Sequence, residues 1–233
     1  YPNCGFKIVK YKNKIYFFGG SIYTGKSFNT NIKFNNIKIG CSFFSMNLDN
    51  KGNIIENSIE YINNFEGTDR MEANVHVYGD YLYVIGGFKT SKDLSKKKGY
   101  SEFKTNNVID NWKYNFICKK WVKISNKKYT IINQGSVLYK DYIILIGGTS
   151  YKNSYYCNKL NNNFNKFPNL KYKITDLKIE TNMWDVEEYY FSNLIMIYDL
   201  IKDKYYLSKY KLPININLPG VTSTDDYIYL LGG

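Results

Sequence analysis

One phrase recurs four times along the 233 residues, and it constrains the fold more than any other feature. Each copy has a polar turn, a run of apolar β-forming residues and a pair of glycines. The copies occupy residues 11–20, 78–87, 139–148 and 224–233, reading YKNKIYFFGG, YGDYLYVIGG, YKDYIILIGG and TDDYIYLLGG. A polar turn reverses the chain, and an uninterrupted apolar run is typical of a strand buried on both faces. Four copies in register predict a repeat protein built from β-sheets.

The phrase resembles the kelch repeat, which folds as one four-stranded blade of a β-propeller. Its paired glycines are Gly19, Gly20, Gly86, Gly87, Gly147, Gly148, Gly232 and Gly233. A second part of the kelch motif is a Tyr-Asp pair followed by a Trp seven residues after the Tyr. Tyr114 and Trp121 keep this spacing, and Tyr198 and Tyr205 keep it with Tyr in place of Trp. The resemblance implies that the aromatic ring at the Trp position packs between blades.

The resemblance implies an all-β, kelch-type β-propeller with about three and a half four-stranded blades in this chain. The expected blades are residues 4–61, 73–124 and 134–210, with a half blade at 220–233. In the first blade we expect strands near 5–10, 14–19, 41–48 and 54–61. Because closed propellers have about 4–8 blades, we expect the chain to be a fragment of a larger propeller with six or seven blades, and a compact four-bladed closure is the alternative.

The glycine pairs are 67, 61 and 85 residues apart, which is longer than the roughly 50 residues of a kelch repeat. The additional residues are therefore expected in loops. The longest is an insertion loop over residues 149–191, and its amphipathic part predicts a helix over 174–188. Long loops are usually functional or disordered, so a helix over a pocket and an insertion without function both remain open.

The formal net charge of +12, from 32 basic and 20 acidic residues, is one signature of nucleic-acid binding. However, the abundance of Lys, Asn, Ile and Tyr indicates a low-GC genome. Several of the lysines also fall in what reads as one loop, namely Lys92, Lys96, Lys97 and Lys98. We therefore expect solvated basic loops rather than a nucleic-acid site.

The sequence gives no signal for a membrane span or a metal site. It has no stretch of 18 apolar residues, and the absence of a visible signal peptide favours a cytoplasmic protein. The four cysteines form no CxxC pair, so we expect buried free thiols and no metal. The only histidine, His76, lies in a strand-like run and is expected to be structural, although it is the one candidate base for a Ser-His-Asp or Cys-His site.

Arg70 is the only arginine in a chain that otherwise uses lysine. Its planar guanidinium can bind a carboxylate through two parallel hydrogen bonds, which a lysine cannot do. It lies sixteen residues before a glycine pair, where kelch repeats favour arginine. Two roles remain open: binding a substrate carboxylate, or hydrogen bonding between blades, with Asp69 and Glu72 as neighbouring acids.

Three features together are similar to the N-acetylneuraminate epimerase (sialic acid mutarotase) family of kelch propellers. Residues 67–73, GTDRMEA, are similar to that family's Pro-Arg-Asp-Gln-Ala, although Asp69 stands in place of its Pro and Glu72 in place of its Gln. The next blade carries the Tyr-to-Trp motif, and the one after it carries the long insertion. Residues 187–193, EEYYFSN, are similar to the acidic-aromatic-Asn segment that ends the family's insertion. The similarity covers about 67–233, and residues 1–66 fit the circularly permuted branch.

The resemblance implies interconversion of the α and β anomers of sialic acid by ring opening. A base takes the proton of the anomeric hydroxyl, and an acid protonates the ring oxygen; no metal or organic cofactor is needed. The resemblance assigns Arg70, Glu72 and Gln134 to binding of the acidic sugar. It places the proton-accepting glutamate beyond Gly233, so we expect this chain alone to be inactive. The alternative is a non-catalytic kelch propeller whose loops bind a protein partner.

Overall fold

A computed structural model describes residues 3–23, 37–39, 42–62, 65–93, 102–127, 131–151 and 189–233. All regular elements within these residues are β-strands. The chain divides into two compact units, Tyr1–Lys127 and Lys128–Gly233. The expected helix over 174–188 lies outside the described residues.

The first sheet has the antiparallel order β1-β2-β4-β5, with β3 paired to the far end of β2. Its strands are β1 (Asn3–Tyr11), β2 (Lys14–Tyr23), β3 (Ile37–Ile39), β4 (Phe43–Asn47) and β5 (Glu60–Tyr61). The last strand is much shorter than the predicted 54–61. The carboxylate of Asp49 accepts the N–H groups of Lys51 and Asn53, both at 2.8 Å. These bonds close the turn that precedes the predicted strand. Within 54–61 the chain turns again, because Ser58 Oγ donates to the Ile55 carbonyl at 2.6 Å and Asn57 has a positive φ of 59°.

The second sheet has the order β6-β7-β10-β11, and a separate two-stranded extension is formed by β8 and β9. Its elements are β6 (Asn74–Tyr78), β7 (Tyr81–Ile85), β8 (Phe88–Asp93), β9 (Glu102–Asn107), β10 (Asn111–Asn115) and β11 (Lys120–Ile124). The apolar run of the repeat forms β7, which lies between β6 and β10 and is almost entirely buried. This burial explains why the run carries no polar side chain but Tyr.

Aromatic rings form the core of the first unit. The ring of Trp121 lies 5.8 Å from that of Phe18 and 5.3 Å from that of Phe43, centroid to centroid, while Tyr114 lies 5.0 Å from Trp121. Phe18 and Phe43 belong to the first sheet, and Tyr114 and Trp121 to the second. Trp121 therefore packs one sheet against the next, as the kelch pattern predicts.

The second unit repeats this plan with a mainly aliphatic core. Its strands are β12 (Gly135–Tyr139), β13 (Tyr142–Ile146), β14 (Thr149–Tyr151), β15 (Tyr189–Asp199), β16 (Lys204–Ile216), β17 (Gly220–Ser223) and β18 (Ile228–Leu231). Strands β12, β13, β15 and β16 form an antiparallel sheet, β14 pairs with β15, and β17 pairs with β18. Ile143, Leu145 and Met196 are fully buried. The sheets of both units confirm the all-β, kelch-type propeller class.

The Tyr-Asp/Asn pair ends the third strand of a sheet and starts a tight turn. The side-chain Oδ1 of Asn115 accepts the N–H groups of Ile117 and Cys118. Asp199 Oδ1 accepts those of Ile201 and Lys202 in the same way. Either an amide or a carboxylate oxygen can make these bonds, which explains why the repeat accepts Asn in place of Asp.

Each repeat also has a residue with positive φ fourteen positions before the first glycine of its pair. These residues are Gly5, Glu72, Asn133 and Leu218, with φ values of 70°, 53°, 55° and 51°. Such angles are uncommon for residues other than glycine. The backbone angle is therefore repeated although the residue type is not.

Candidate functional site

Arg70 is completely buried, and its guanidinium is bonded to protein atoms. Its Nε donates to the carbonyl of Thr68 at 2.9 Å, and its Nη1 donates to the carbonyls of Gly86 and Asp110 at 3.1 and 2.6 Å. Its Nη2 forms a 2.8 Å ion pair with Asp110 Oδ2. The side chain thus links the segment before β6 to the end of β7 and the start of β10.

The carboxylate of Asp110 is a second centre of this cluster. Its Oδ2 accepts the indole N–H of Trp112 at 2.6 Å and the backbone N–H of Thr68 at 3.3 Å, in addition to Arg70. Burial alone would raise the pKa of Asp110. The charge of Arg70 and the hydrogen bonds from Trp112, Thr68 and Arg70 outweigh it and hold the pKa below its ordinary value.

The position of Arg70 is occupied by an apolar residue in the third and fourth repeats. Ile131 and Ile216 lie the same sixteen residues before their glycine pairs, and both are buried. The backbone contact is shared, because Gly20 N–H donates to the Arg70 carbonyl at 3.3 Å and Gly148 N–H donates to the Ile216 carbonyl at 2.8 Å. This arrangement favours the framework role for Arg70 of the two that the sequence left open.

Glu72 follows Arg70 closely but has a different environment. Its backbone N–H donates to the Gly5 carbonyl at 2.8 Å, which fixes the segment against β1. Burial raises the pKa of the Glu72 carboxyl, and the positive charge of Lys7 on β1 acts in the opposite direction. The net result is a half-buried carboxyl that keeps its proton to higher pH than an ordinary glutamate.

Gln134 lies in the second unit, just before β12. It is 6% exposed, and among the described residues neither its Oε1 nor its Nε2 has a hydrogen-bond partner. The neighbouring Asn133 Oδ1 is also buried, and no described residue bonds to it. Buried amides normally have hydrogen-bond partners. Gln134 and Asn133 therefore form a second cluster of buried polar groups, after that of Arg70 and Asp110. The structure brings Arg70 and Glu72 together in the first unit, and it describes Gln134 in the other.

Two more bases in the first unit have lowered pKa values. Burial, with a smaller contribution from the charge of Lys7, lowers the pKa of His76 to about 4, so its imidazole is neutral at pH 7. Burial also lowers the pKa of Lys127 to about 7. Neither Lys127 nor Asp110 could be singled out from the sequence, because the burial of Lys127 and the ion pair of Asp110 with Arg70 depend on residues distant in the chain.

Cys118 is a free, exposed cysteine in the turn after β10, contrary to the expectation of buried thiols. The turn bonds made by Asn115 hold its backbone at the surface. Within the described ranges there is no group of three or more His, Cys, Asp or Glu suited to a metal ion. No helix in those ranges is long and apolar enough to cross a membrane.

Comparison with known proteins gives a fold and no family. No protein-family model matches the chain, and no curated protein matches it. Among solved structures the chain is similar to the structure of YjhT, with 15% sequence identity and a TM-score of 0.59. The match covers 99% of this chain and 58% of that one, so the chain spans little more than half of that structure. At this identity the likeness supports a related β-propeller fold.

Proposed function

We propose that this chain is part of a sialic acid mutarotase, an isomerase that interconverts the α and β anomers of the sugar. The proposal extends the sequence resemblance of residues 67–193, and the propeller fold is compatible with it. The structural observation that carries it is the half-buried carboxyl of Glu72. A carboxyl group with a raised pKa keeps its proton to higher pH than an ordinary glutamate, which suits it to the proton donation that ring opening requires.

The substrate carboxylate needs a cation, and the structure changes which residue we propose for it. Arg70 is already paired with Asp110 and has no exposed surface. Lys7 is exposed on β1, and its charge acts on Glu72. We therefore assign Lys7 to the sugar carboxylate and Glu72 to proton transfer. Arg70 is a positioning residue that holds the segment leading to Glu72.

Proton NMR of freshly released α-sialic acid tests this function, with a trace of the intact protein that carries this chain. We expect the β anomer to form faster than in buffer. Glu72→Gln should reduce the rate by about 10²–10⁴-fold, the usual contribution of a general acid. Glu66→Gln, at an exposed acid nearby, is the matched control and should leave the rate unchanged. A rate equal to that in buffer would exclude the activity.

A second candidate function is a propeller scaffold that binds a protein partner. The complete enclosure of Arg70 favours it, because the residue that looked most suited to a substrate serves the framework instead. This alternative predicts no acceleration of anomer exchange by either the intact protein or the Glu66→Gln variant. The same NMR experiment therefore separates the two functions.

A further inference from the structure

Asn57 lies in the exposed connection between β4 and β5 of the first sheet. Every residue from 49 to 57 is exposed, and Asn57 has a positive φ of 59°. Asparagine is one of the few residues other than glycine that adopt this left-handed conformation at single positions. The next residue is Ser58, and among the asparagines that the structure describes only Asn57 is followed by serine or glycine. The sequence and the local conformation therefore single out one asparagine.

Both groups that take part in ring closure of an asparagine are unbonded at this site. An asparagine cyclises when the backbone nitrogen of the next residue attacks its side-chain carbonyl carbon. Within the described part of the chain, neither the side-chain amide of Asn57 nor the backbone N–H of Ser58 makes a hydrogen bond. Ser58 bonds through its hydroxyl group instead. Serine also has no branch at Cβ, so it crowds its own nitrogen less than valine, isoleucine or threonine would.

The other two asparagines of this connection are protected. Asn53 Nδ2 donates to Asp49 Oδ2 at 2.9 Å, and Asn53 is followed by a β-branched isoleucine. At Asn50 the attacking group would be the backbone N–H of Lys51, which donates to Asp49 Oδ1 at 2.8 Å. Each of these asparagines thus has one of its two reacting groups held in a hydrogen bond. These bonds oppose ring closure at both positions, and the third asparagine of the connection lacks them.

We propose that Asn57 is a site of spontaneous modification to aspartate and isoaspartate. Hydroxide removes the proton of the Ser58 N–H, and the nitrogen then forms a bond to Cγ of Asn57. The bond from Cγ to Nδ2 breaks, and Nδ2 takes a proton from water and leaves as ammonia. Water then opens the five-membered imide at either carbonyl, which gives aspartate or isoaspartate. Water is the only co-reactant, and the inference is independent of the proposed mutarotase activity.

The isoaspartate product changes the contacts of the next residue. Its backbone runs through the former side chain and is one atom longer, so Ser58 must move. The Ser58 hydroxyl accepts the N–H of Asn47, at the end of β4, at 2.9 Å and donates to the Ile55 carbonyl at 2.6 Å. Glu60, two residues further on in β5, forms a 2.6 Å ion pair with Lys14 on β2. We therefore expect the modification to loosen β5 at the outer edge of the first sheet.

The test stores the intact protein that carries this chain at several pH values and follows its peptides by mass spectrometry. We expect Asn57 to gain the mass of an amide-to-acid conversion and to give two products that chromatography separates. The rate should rise roughly tenfold for each unit of pH, because the ionised fraction of a weak acid rises in this proportion far below its pKa. Ser58→Thr keeps the hydroxyl but adds a branch at Cβ, and it should slow the conversion roughly tenfold. Asn53 in the same protein is the internal control and should stay an amide over the same period.

Hydrogen exchange of the Asn47 amide measures the structural consequence. It should be faster in stored than in fresh protein, and storage should change it much less in Ser58→Thr. Conversion of Asn53 as fast as that of Asn57 would overturn the proposal, because the local hydrogen bonds would then give no protection. So would aspartate as the sole product, which indicates direct hydrolysis without ring closure, or an unmodified Asn57 after a synthetic peptide of residues 52–62 has converted completely. Equal exchange of the Asn47 amide in fresh and stored protein would exclude the loosening of β5.

Discussion

Arg70 and Ile216 have the same backbone role but opposite side-chain chemistry. Each is buried, and the carbonyl of each accepts a hydrogen bond from the second glycine of the preceding pair. Arg70 completes its environment with an ion pair to Asp110, whereas Ile216 does so with apolar contact. In both repeats the position holds a buried side chain and a carbonyl that accepts a glycine N–H, and the charge is an addition made in the second sheet.

The largest expected effect is a difference in stability between methionine substitutions at the two positions. Arg70→Met should lower the free energy of unfolding of the first unit by about 3–5 kcal/mol, because Asp110 is left as a partly buried carboxylate without its cation. Ile216→Met should cost less than about 1.5 kcal/mol, because it keeps the volume and the apolar character. Urea unfolding in a Trp184→Phe background, followed by the fluorescence of Trp112 and Trp121, measures the first unit. Circular dichroism, which reports the strands of both units, measures the loss in Ile216→Met.

A double variant sharpens this result. Arg70→Met with Asp110→Asn should recover part of the loss, because the amide oxygen can still accept from Trp112 and Thr68 but carries no charge. If the double variant is no more stable than Arg70→Met alone, the loss comes from the hydrogen bonds of Arg70 and not from the unpaired carboxylate. A loss below about 1 kcal/mol in Arg70→Met would contradict the framework role.

The glycines that contact these two carbonyls give the next effect. A Cβ on Gly147 would lie 2.5 Å from the Ile216 oxygen, and one on Gly19 would lie 2.9 Å from the Arg70 oxygen. We expect Gly147→Ala and Gly19→Ala to cost about 2–4 kcal/mol, from positive φ and overpacking together. Gly52→Ala is the control, with positive φ but nothing within 4 Å, and should cost only about 1–2 kcal/mol. Equal losses at all three positions in denaturant unfolding would refute the contact argument.

The smallest expected effect is on acid stability. The pKa of Asp110 is lowered in the folded protein. The stability from its ionised form is therefore present above the ordinary carboxyl pKa of 3.8 and is lost as the pH falls through the lower folded value. The melting temperature of Asp110→Asn should fall less steeply below about pH 4 than that of the wild type. Parallel curves for the two proteins would count against the ion pair.

Local features could be predicted from the sequence, and long-range ones could not. The glycine pairs, the apolar strands and the contact of Trp121 follow from short motifs with fixed spacing. The partnership of Arg70 with Asp110 joins residues 40 positions apart, and no motif links them. For the same reason the sequence pointed to Arg70 as a substrate ligand as readily as to the framework, and only its burial distinguishes the two roles.

The outer strand of the first sheet and the positive φ positions were also missed, for a different reason. Residues 54–61 have a strand-like composition, but the bond from Ser58 Oγ to the Ile55 carbonyl and the positive φ of Asn57 turn the chain within this stretch. The residue types of Glu72 and Leu218 do not predict a left-handed backbone conformation. The surrounding repeat imposes this conformation on whatever residue is present. The roles of Lys7 in binding the sugar carboxylate, of Glu72 in proton transfer and of Gln134 in sugar binding remain predictions.

The strand extensions have a practical consequence for protein engineering. In each complete sheet, a short pair of strand segments extends the connection between the second and third strands. These pairs are β2 with β3, β8 with β9, and β14 with β15. In the second sheet, Asp93 and Glu102 are already paired side by side. A reporter domain whose termini lie close together could therefore be spliced between these two residues while the register of β7 with β10 is kept. The repeat thus offers one place per sheet where its length can be changed by design.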